Sequence, residues 1–454
     1  MKPPRKVWIA AFFLLVGLLM SVLRGLAEED ALQKARELNE QAIRRYQEGR
    51  YEEAISLAQE SLALREKTFG PDHLEVANSL YNLAGFYKAQ GRYNEAKALY
   101  KRALAICEKS LGPDHSIVAL VLHHLALLYN TQGRYAEAEL LYKRALEVRE
   151  KALGPDHADT ATSLHSLAEV YRVQGRYAEA EPLFKRALKV DEKALGSDDP
   201  GVATVLNSLA ILYKDQGRYA EAEPLLKRAL KIDEKTYGPE HPKTAIILDN
   251  LALVYLAQGR YAQAEPMMKR ALAIFEKTLG PSHPDVAMAL NNLASIYLSQ
   301  GRYAEAETLH KRALAIREKA FGPDHPDVAS SLNNLAELYA VQKQFAQAEP
   351  LYKRALAIDE KALGPDHPLV AGFLANLALL YSDQGRLAEA EPLMRRTLSI
   401  FEKVYGPDQA KVADVLSIMA ERYRKMDRVP EAEACEQRAA RIRAMRPPKA
   451  GESR

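Results

Sequence analysis

The chain has 454 residues, 27% charged and 48% hydrophobic, with a formal net charge of only +3. That composition belongs to a folded protein and not a disordered one, and so weak a field argues against a nucleic-acid partner. Two cysteines, Cys107 and Cys435, exclude a disulfide framework.

In chain order the first element is a leader. Lys2, Arg5 and Lys6 precede an apolar run from Val7 to Leu23, which Arg24, Gly25, Ala27 and the acidic Glu28, Glu29 and Asp30 follow. The layout is that of a secretory signal with a cleavage site. The run also just reaches the ~17 residues that a spanning helix needs. Residues 1–27 are therefore read as a signal peptide or an N-terminal membrane anchor. Either one carries the remainder across, since the positive flank stays cytoplasmic. The expected location is exported, on the periplasmic or extracellular side, secreted or held to the membrane by the N-terminal helix.

A repeat organises residues 28–445. A Gly-Pro-Asp-His box stands at Gly70, Gly112 and Gly154, with variants at Gly196, Gly238, Gly280, Gly322, Gly364 and Gly406, always 42 residues apart. A second marker, Gln-Gly-Arg-Tyr, keeps the same spacing at Gly91, Gly133, Gly175, Gly217, Gly259 and Gly301. It degrades to Gln342-Lys343-Gln344-Phe345 and then to Gln384-Gly385-Arg386-Leu387. Such a period means a solenoid. Its units lie near 31–69, 70–111, 112–153, 154–195, 196–237, 238–279, 280–321, 322–363, 364–405 and 406–445. Residues 446–454 read as a disordered basic tail.

Each unit predicts two helices. Val76, Leu80, Leu83, Ala84 and Tyr87 recur at helical spacing, and Tyr93, Ala96, Tyr100, Ala103 and Leu104 do so after the turn at Gly91. Glycine then proline, as at Gly112-Pro113, ends the second helix. Pro242, Pro284, Pro326 and Pro368 stand at first-turn positions of the next first helix. One hairpin cannot bury its apolar faces alone, so the fold class is all-α, an α-α superhelix of about ten stacked hairpins with a concave inner wall.

Cys107 occupies the place of Arg149, Asp191, Asp233, Arg317 and Asp359, which predicts an exposed thiol. Cys435 replaces Leu183, Leu351 and Leu393, which predicts a buried one.

Leu-Ala-x-x-Tyr, then Gly-Arg-Tyr-x-Glu-Ala-Glu, then Tyr-Lys-Arg-Ala-Leu resembles a tetratricopeptide (TPR) repeat. The 42-residue length, with Lys-x-Leu-Gly-Pro-Asp-His-Pro and Asn-Asn-Leu-Ala, is most similar to the kinesin light chain type. The leader, and the lack of a heptad segment to join a motor, set this chain apart from a kinesin subunit. The resemblance implies a binding scaffold whose first helices line a groove. An Asn before Leu-Ala would there hydrogen-bond the backbone of an extended peptide. Asn82, Asn250, Asn292, Asn334 and Asn376 match that Asn; His124, Ser166, Ser208 and Ile418 replace it, and His124 is kept with the matched Asn residues as a candidate groove residue. An amide offers both donor and acceptor, so it pairs with a peptide bond without demanding a sequence. Lys88, Arg172 and Lys214 are the basic candidates for acidic ligand groups. The bland reading of the same Asn residues is that they bridge adjacent hairpins.

The expected function is thus a non-catalytic protein–protein interaction scaffold with a protein or peptide partner, no cofactor and no metal. The alternative is a structural spacer or oligomerising envelope protein. Enzyme readings find little footing. Box histidines recur because the turn recurs. His123 and His165 occupy equivalent places on neighbouring hairpins, yet no Cys or carboxylate joins them at ligand spacing. No phosphate loop, nucleophile elbow or zinc-protease motif is present in the sequence.

Overall fold

The computed structural model describes residues 29–445, so the leader at 1–27 and the tail at 446–454 lie outside the described residues. Among the described residues all regular structure is helical. A helix over 29–47 (α1) is followed by α2 (Tyr51–Phe69), α3 (Leu74–Ala89), α4 (Tyr93–Leu111), α5 (Ser116–Thr131), α6 (Tyr135–Leu153) and α7 (Ala158–Val173). Next come α8 (Tyr177–Leu195), α9 (Pro200–Asp215), α10 (Tyr219–Tyr237), α11 (Pro242–Ala257), α12 (Tyr261–Leu279) and α13 (Pro284–Ser299). The series ends with α14 (Tyr303–Phe321), α15 (Pro326–Val341), α16 (Phe345–Leu363), α17 (Pro368–Asp383), α18 (Leu387–Tyr405), α19 (Ala410–Lys425) and α20 (Val429–Ala444). Odd and even helices pair as successive hairpins. The chain divides into two compact bodies, one ending at Leu125 and the other starting at Ala126. No helix among the described residues is long and apolar enough to cross a membrane.

The two sequence markers have distinct mechanical roles. In the box, glycine takes a left-handed conformation, as at Gly112 with φ 85°, and stops the helix before it. The histidine then caps the next helix: His283 Nδ1 accepts the Asp285 N–H at 3.2 Å. Asp199 does the same for Gly201 at 2.7 Å. A side-chain acceptor for one of the orphan amides of a first turn is what a helix start requires. The box Asp meets a lysine late in the same hairpin, as Lys361 meets Asp324 at 2.6 Å. This pair is exposed and adds little.

The Arg of Gln-Gly-Arg-Tyr staples one repeat to the one before. Arg302 lies 3.8 Å from the centroid of the Tyr297 ring, while its Nη1 reaches Glu265 Oε2 at 3.0 Å. Arg260 repeats this with Tyr255 at 4.2 Å and Glu223 at 2.8 Å. Lys227 and Arg260 hold the Glu223 carboxyl down at about 2. In the eighth repeat the Arg is Gln344, and Tyr339 donates to Glu307 at 2.8 Å without the stacked cation.

Close approach of the helices rests on alanines. Ala84, Ala168, Ala210, Ala252, Ala294, Ala336 and Ala378 are completely buried. A larger side chain at such a site would overpack the seam by roughly 1–3 kcal/mol. Within the second body, α7, α9, α11, α13, α15 and α17 approach one another in succession. The odd-numbered helices therefore line the inner side of its curve.

The cysteine expectations need correction. Cys107 is buried, and Cys435 is half-buried beside Val412, Leu416 and Ile442. Charged residues at the Cys107 position mislead because they are themselves buried, or half-buried at Arg317. Arg65, Arg149 and Arg317 each donate to the hydroxyl of a serine fourteen residues on, at 3.0, 2.9 and 3.0 Å. Where that serine is Val205, Ile247 or Phe373, the earlier residue is Asp191, Asp233 or Asp359. Asp359 is fully buried with no hydrogen-bond partner on either oxygen. Burial, and then Asp327 nearby, push its carboxyl up to about 7.

Candidate functional site

In each body, the candidate site consists of two neighbouring positions on the odd helices. The Asn singled out by resemblance follows directly after a second residue, and the two series interlock between repeats. Asn82 Nδ2 donates to Asn39 Oδ1 at 2.9 Å, Asn250 to Asn207 at 2.8 Å, and Asn376 to Asn333 at 2.9 Å. Asn292 Nδ2 lies 3.0 Å from both oxygens of Asp249. Every rung spans 43 residues.

The substituted positions differ: Ser166 turns its hydroxyl to the Thr162 carbonyl of its own helix at 2.9 Å, while Ser208 keeps the rung. His165 Nε2 and Ser208 Oγ meet at 2.8 Å. In the first body His124 packs edge-on against Tyr81, ring centroids 4.9 Å apart, and lies 6.2 Å from Tyr100. The last pair of positions holds Ala375 and Ile418, which are both apolar. Asn334 is the exception. Its expected partner, Asn291, turns away to His310 Nδ1 at 2.8 Å and Ser331 Oγ at 3.2 Å. Asn334 is half-buried and makes no side-chain hydrogen bond among the described residues.

An amide has two N–H donors and an acceptor. A rung consumes one N–H of Asn82, Asn250 or Asn376 and fixes the rotamer, which leaves the carbonyl oxygen and the other N–H of each. Bridging thus orients these amides without exhausting them.

The three basic candidates differ. Arg172 is already neutralised: Nε donates to Glu169 at 2.9 Å and Nη1 to Asp215. Burial alone would pull its pKa down, but Glu169 and Asp215 more than offset this and raise it. Lys214 Nζ stands 3.8 Å from Asp215. Only Lys88 is half-buried without an ion partner among the described residues, and burial lowers its pKa.

Asp249 was not singled out in the sequence. It is buried, and burial pushes its carboxyl up to about 6 even though Asn292 and the more distant Lys214 pull the other way. The signal that reveals such residues is positional: the residue one before the matched Asn changes in step with the residue 43 later. His165 is half-buried, and burial lowers its pKa. No three His, Cys, Asp or Glu side chains converge on a common point among the described residues.

The tetratricopeptide repeat model matches residues 45–107, 75–151, 118–193, 159–235, 201–277, 248–319, 285–361, 327–372 and 369–444. Comparison with curated proteins finds no match. Among solved structures, the nearly identical TPR-like repeats of a putative kinesin light chain from Podosopora anserina are 30% identical over 46% of this chain and 96% of that one, with a TM-score of 0.38. BtubC (BKLC) from P. vanneervenii is 26% identical over 51% and 91%, with a TM-score of 0.40. A Rap protein complexed with Competence and Sporulation Factor is 18% identical over 83% and 99%, with a TM-score of 0.54, which is a likeness of fold. With the model covering the array from residue 45 to residue 444, the chain belongs to the tetratricopeptide repeat family.

Proposed function

We propose that this protein is a non-catalytic scaffold that holds an extended segment of a partner protein along its inner wall. The observation that carries the reading is Asn334, an inner-wall amide with no partner of its own beside rungs whose amides are held in one rotamer. An extended peptide offers alternating N–H and C=O groups that such amides satisfy in any sequence. Arg172 and Lys214 serve the wall itself; in the first body, Lys88 stands as an uncommitted cation for an acidic group. The leader at residues 1–27 fits a site of action outside the cytoplasm, and N-terminal sequencing of the mature chain decides between cleavage and anchoring.

A photo-crosslinking residue at Ile246, exposed on α11 four residues before Asn250, with the exposed Leu140 of α6 as control, tests the reading in native membranes. A partner captured from Ile246 and not from Leu140 supports it. Asn334→Ala should then weaken that partner about tenfold with helicity and thermal midpoint unchanged. Equal capture from both positions would sink the assignment. Asn292→Ala is a poorer probe, because it strips Asp249 of its hydrogen bonds.

A further inference from the structure

Within the second body, three side chains of the fourth and fifth repeats form a closed ionic unit. Arg172 of α7 donates from Nε to Glu169 at 2.9 Å and from Nη1 to Asp215 of α9. The arginine side chain is 20% exposed, and the two carboxylates it covers are 24% and 25% exposed. Burial disfavours a cation there, yet Glu169 and Asp215 more than offset it and raise the pKa of Arg172. Two carboxylates on neighbouring helices thus make a seat that suits a planar, forked cation.

Four repeats on, the same positions hold Glu337 on α15, Asp383 on α17 and Ala340 in place of the arginine. α15 approaches α17 as α7 approaches α9. Both carboxylates of the seat are therefore kept, and its cation is missing. Glu337 is exposed and pairs with no cation among the described residues, and desolvation by the wall around it pushes its carboxyl up. Asp383 faces Arg422, whose Nη1 stands 3.6 Å away, and its side chain is still 55% exposed. Asp215 has a comparable second cation, Lys214 Nζ at 3.8 Å, in addition to Arg172. Arg422 is thus the counterpart of that second cation and not of the missing arginine. Asn334, without a side-chain hydrogen bond among the described residues, stands one turn before Glu337 on the same helix. Val341, directly after Ala340, is 53% exposed, so this edge of the wall is open.

We propose that Glu337 and Asp383 take a guanidinium from outside, the arginine side chain of a segment bound along the inner wall, while Asn334 pairs with the backbone of that segment. This rests on the proposed function of the inner wall and adds to it one ligand side chain and its place, at the eighth and ninth repeats. Arg172 shows the arrangement already made within the chain. A lysine fits less well, because its ammonium is a compact point charge without the fork that spans two carboxylates.

The test selects a random dodecapeptide library on the immobilised full chain and identifies inner-wall peptides by photo-crosslinking through Ile246, which is exposed on α11. Wall peptides should share one arginine. Replacing it with alanine should weaken binding to wild type by about tenfold or more. The same replacement should change nothing on Glu337→Gln with Asp383→Asn, which keeps the shape of the seat and removes its charge. Ala340→Arg should fill the seat from within, so that the arginine preference disappears and the thermal midpoint does not fall. Circular dichroism checks that the variants keep their helicity. Wall peptides with no shared arginine, or an arginine whose loss weakens binding equally on wild type and on the double variant, overturn this proposal and leave peptide capture by the wall standing. A selection in which no peptide crosslinks through Ile246 overturns both. Displacement of the wall peptides by an equal concentration of free arginine would make the ligand a small molecule and overturn the assignment to a bound segment.

Discussion

Asn292 places its Nδ2 3.0 Å from both carboxylate oxygens of Asp249, a residue of the preceding repeat that is only 4% exposed. The bond does not cancel the cost of burying that charge, and the carboxyl stays up at about 6. A folded-state pKa above the ordinary carboxylate range favours the protonated fold. Its stabilising contribution is therefore complete below that range and is lost as pH rises through 6. Asp249→Asn makes the Asn–Asn rung seen at Asn207 and Asn250. We expect it to stabilise the array at pH 8 by about 2 kcal/mol and to change little at pH 4, read by urea denaturation at the two values.

Asp359 should show the stronger form of this behaviour, with its carboxyl up at about 7 and neither oxygen bonded. Asp359→Leu is expected to raise stability at pH 8 by roughly 2–4 kcal/mol, with the gain shrinking towards pH 4. A gain that does not vary with pH would show that packing, not charge, limits the site.

The staple predicts a gain of stability in the eighth repeat. Gln344→Arg restores the cation that elsewhere stacks on tyrosine and pairs with the upstream glutamate, here Tyr339 and Glu307. We expect about 1 kcal/mol and slower hydrogen exchange at the C-terminal end of α15. Arg302→Lys should lose most of the equivalent contribution despite keeping its charge, since a lysine neither stacks nor forks.

Serine at the buried seam is predicted to be worth more than its size. Ser163→Ala leaves Arg149, which is 5% exposed, without its hydroxyl acceptor, although the Asp159 carbonyl remains at 2.9 Å. A loss of about 1–3 kcal/mol is expected. Ser163→Val with Arg149→Cys, the pairing that Cys107 and Val121 already provide, should recover much of it.

Much of the scaffold was legible because its signals are local and repeated. Glycine then proline ends a helix wherever it occurs, and a 42-residue period cannot arise from separate globular cores. Arg149 and Asp359 were misread for the opposite reason. Residue type alone places Arg and Asp at the surface, and what keeps them inside lies fourteen residues away in Ser163 or Phe373. The inner wall was half legible. Asn82 and its counterparts were visible through resemblance, but Asn39, Asn207 and Asp249 enter only when the chain is compared with itself at 43 residues instead of 42.

That 43-residue pairing also restricts how such a gene can be edited. Donor and acceptor of one rung sit on different repeats, so repeats of the same fold are not interchangeable modules. Excising residues 208–249 would set Asn207 against Asn292 and preserve a compatible junction. Joining the last repeat directly behind Asn207 would instead face an amide with Ile418. Recombination within the array is free to keep the helices yet constrained, junction by junction, in which copies it can place side by side.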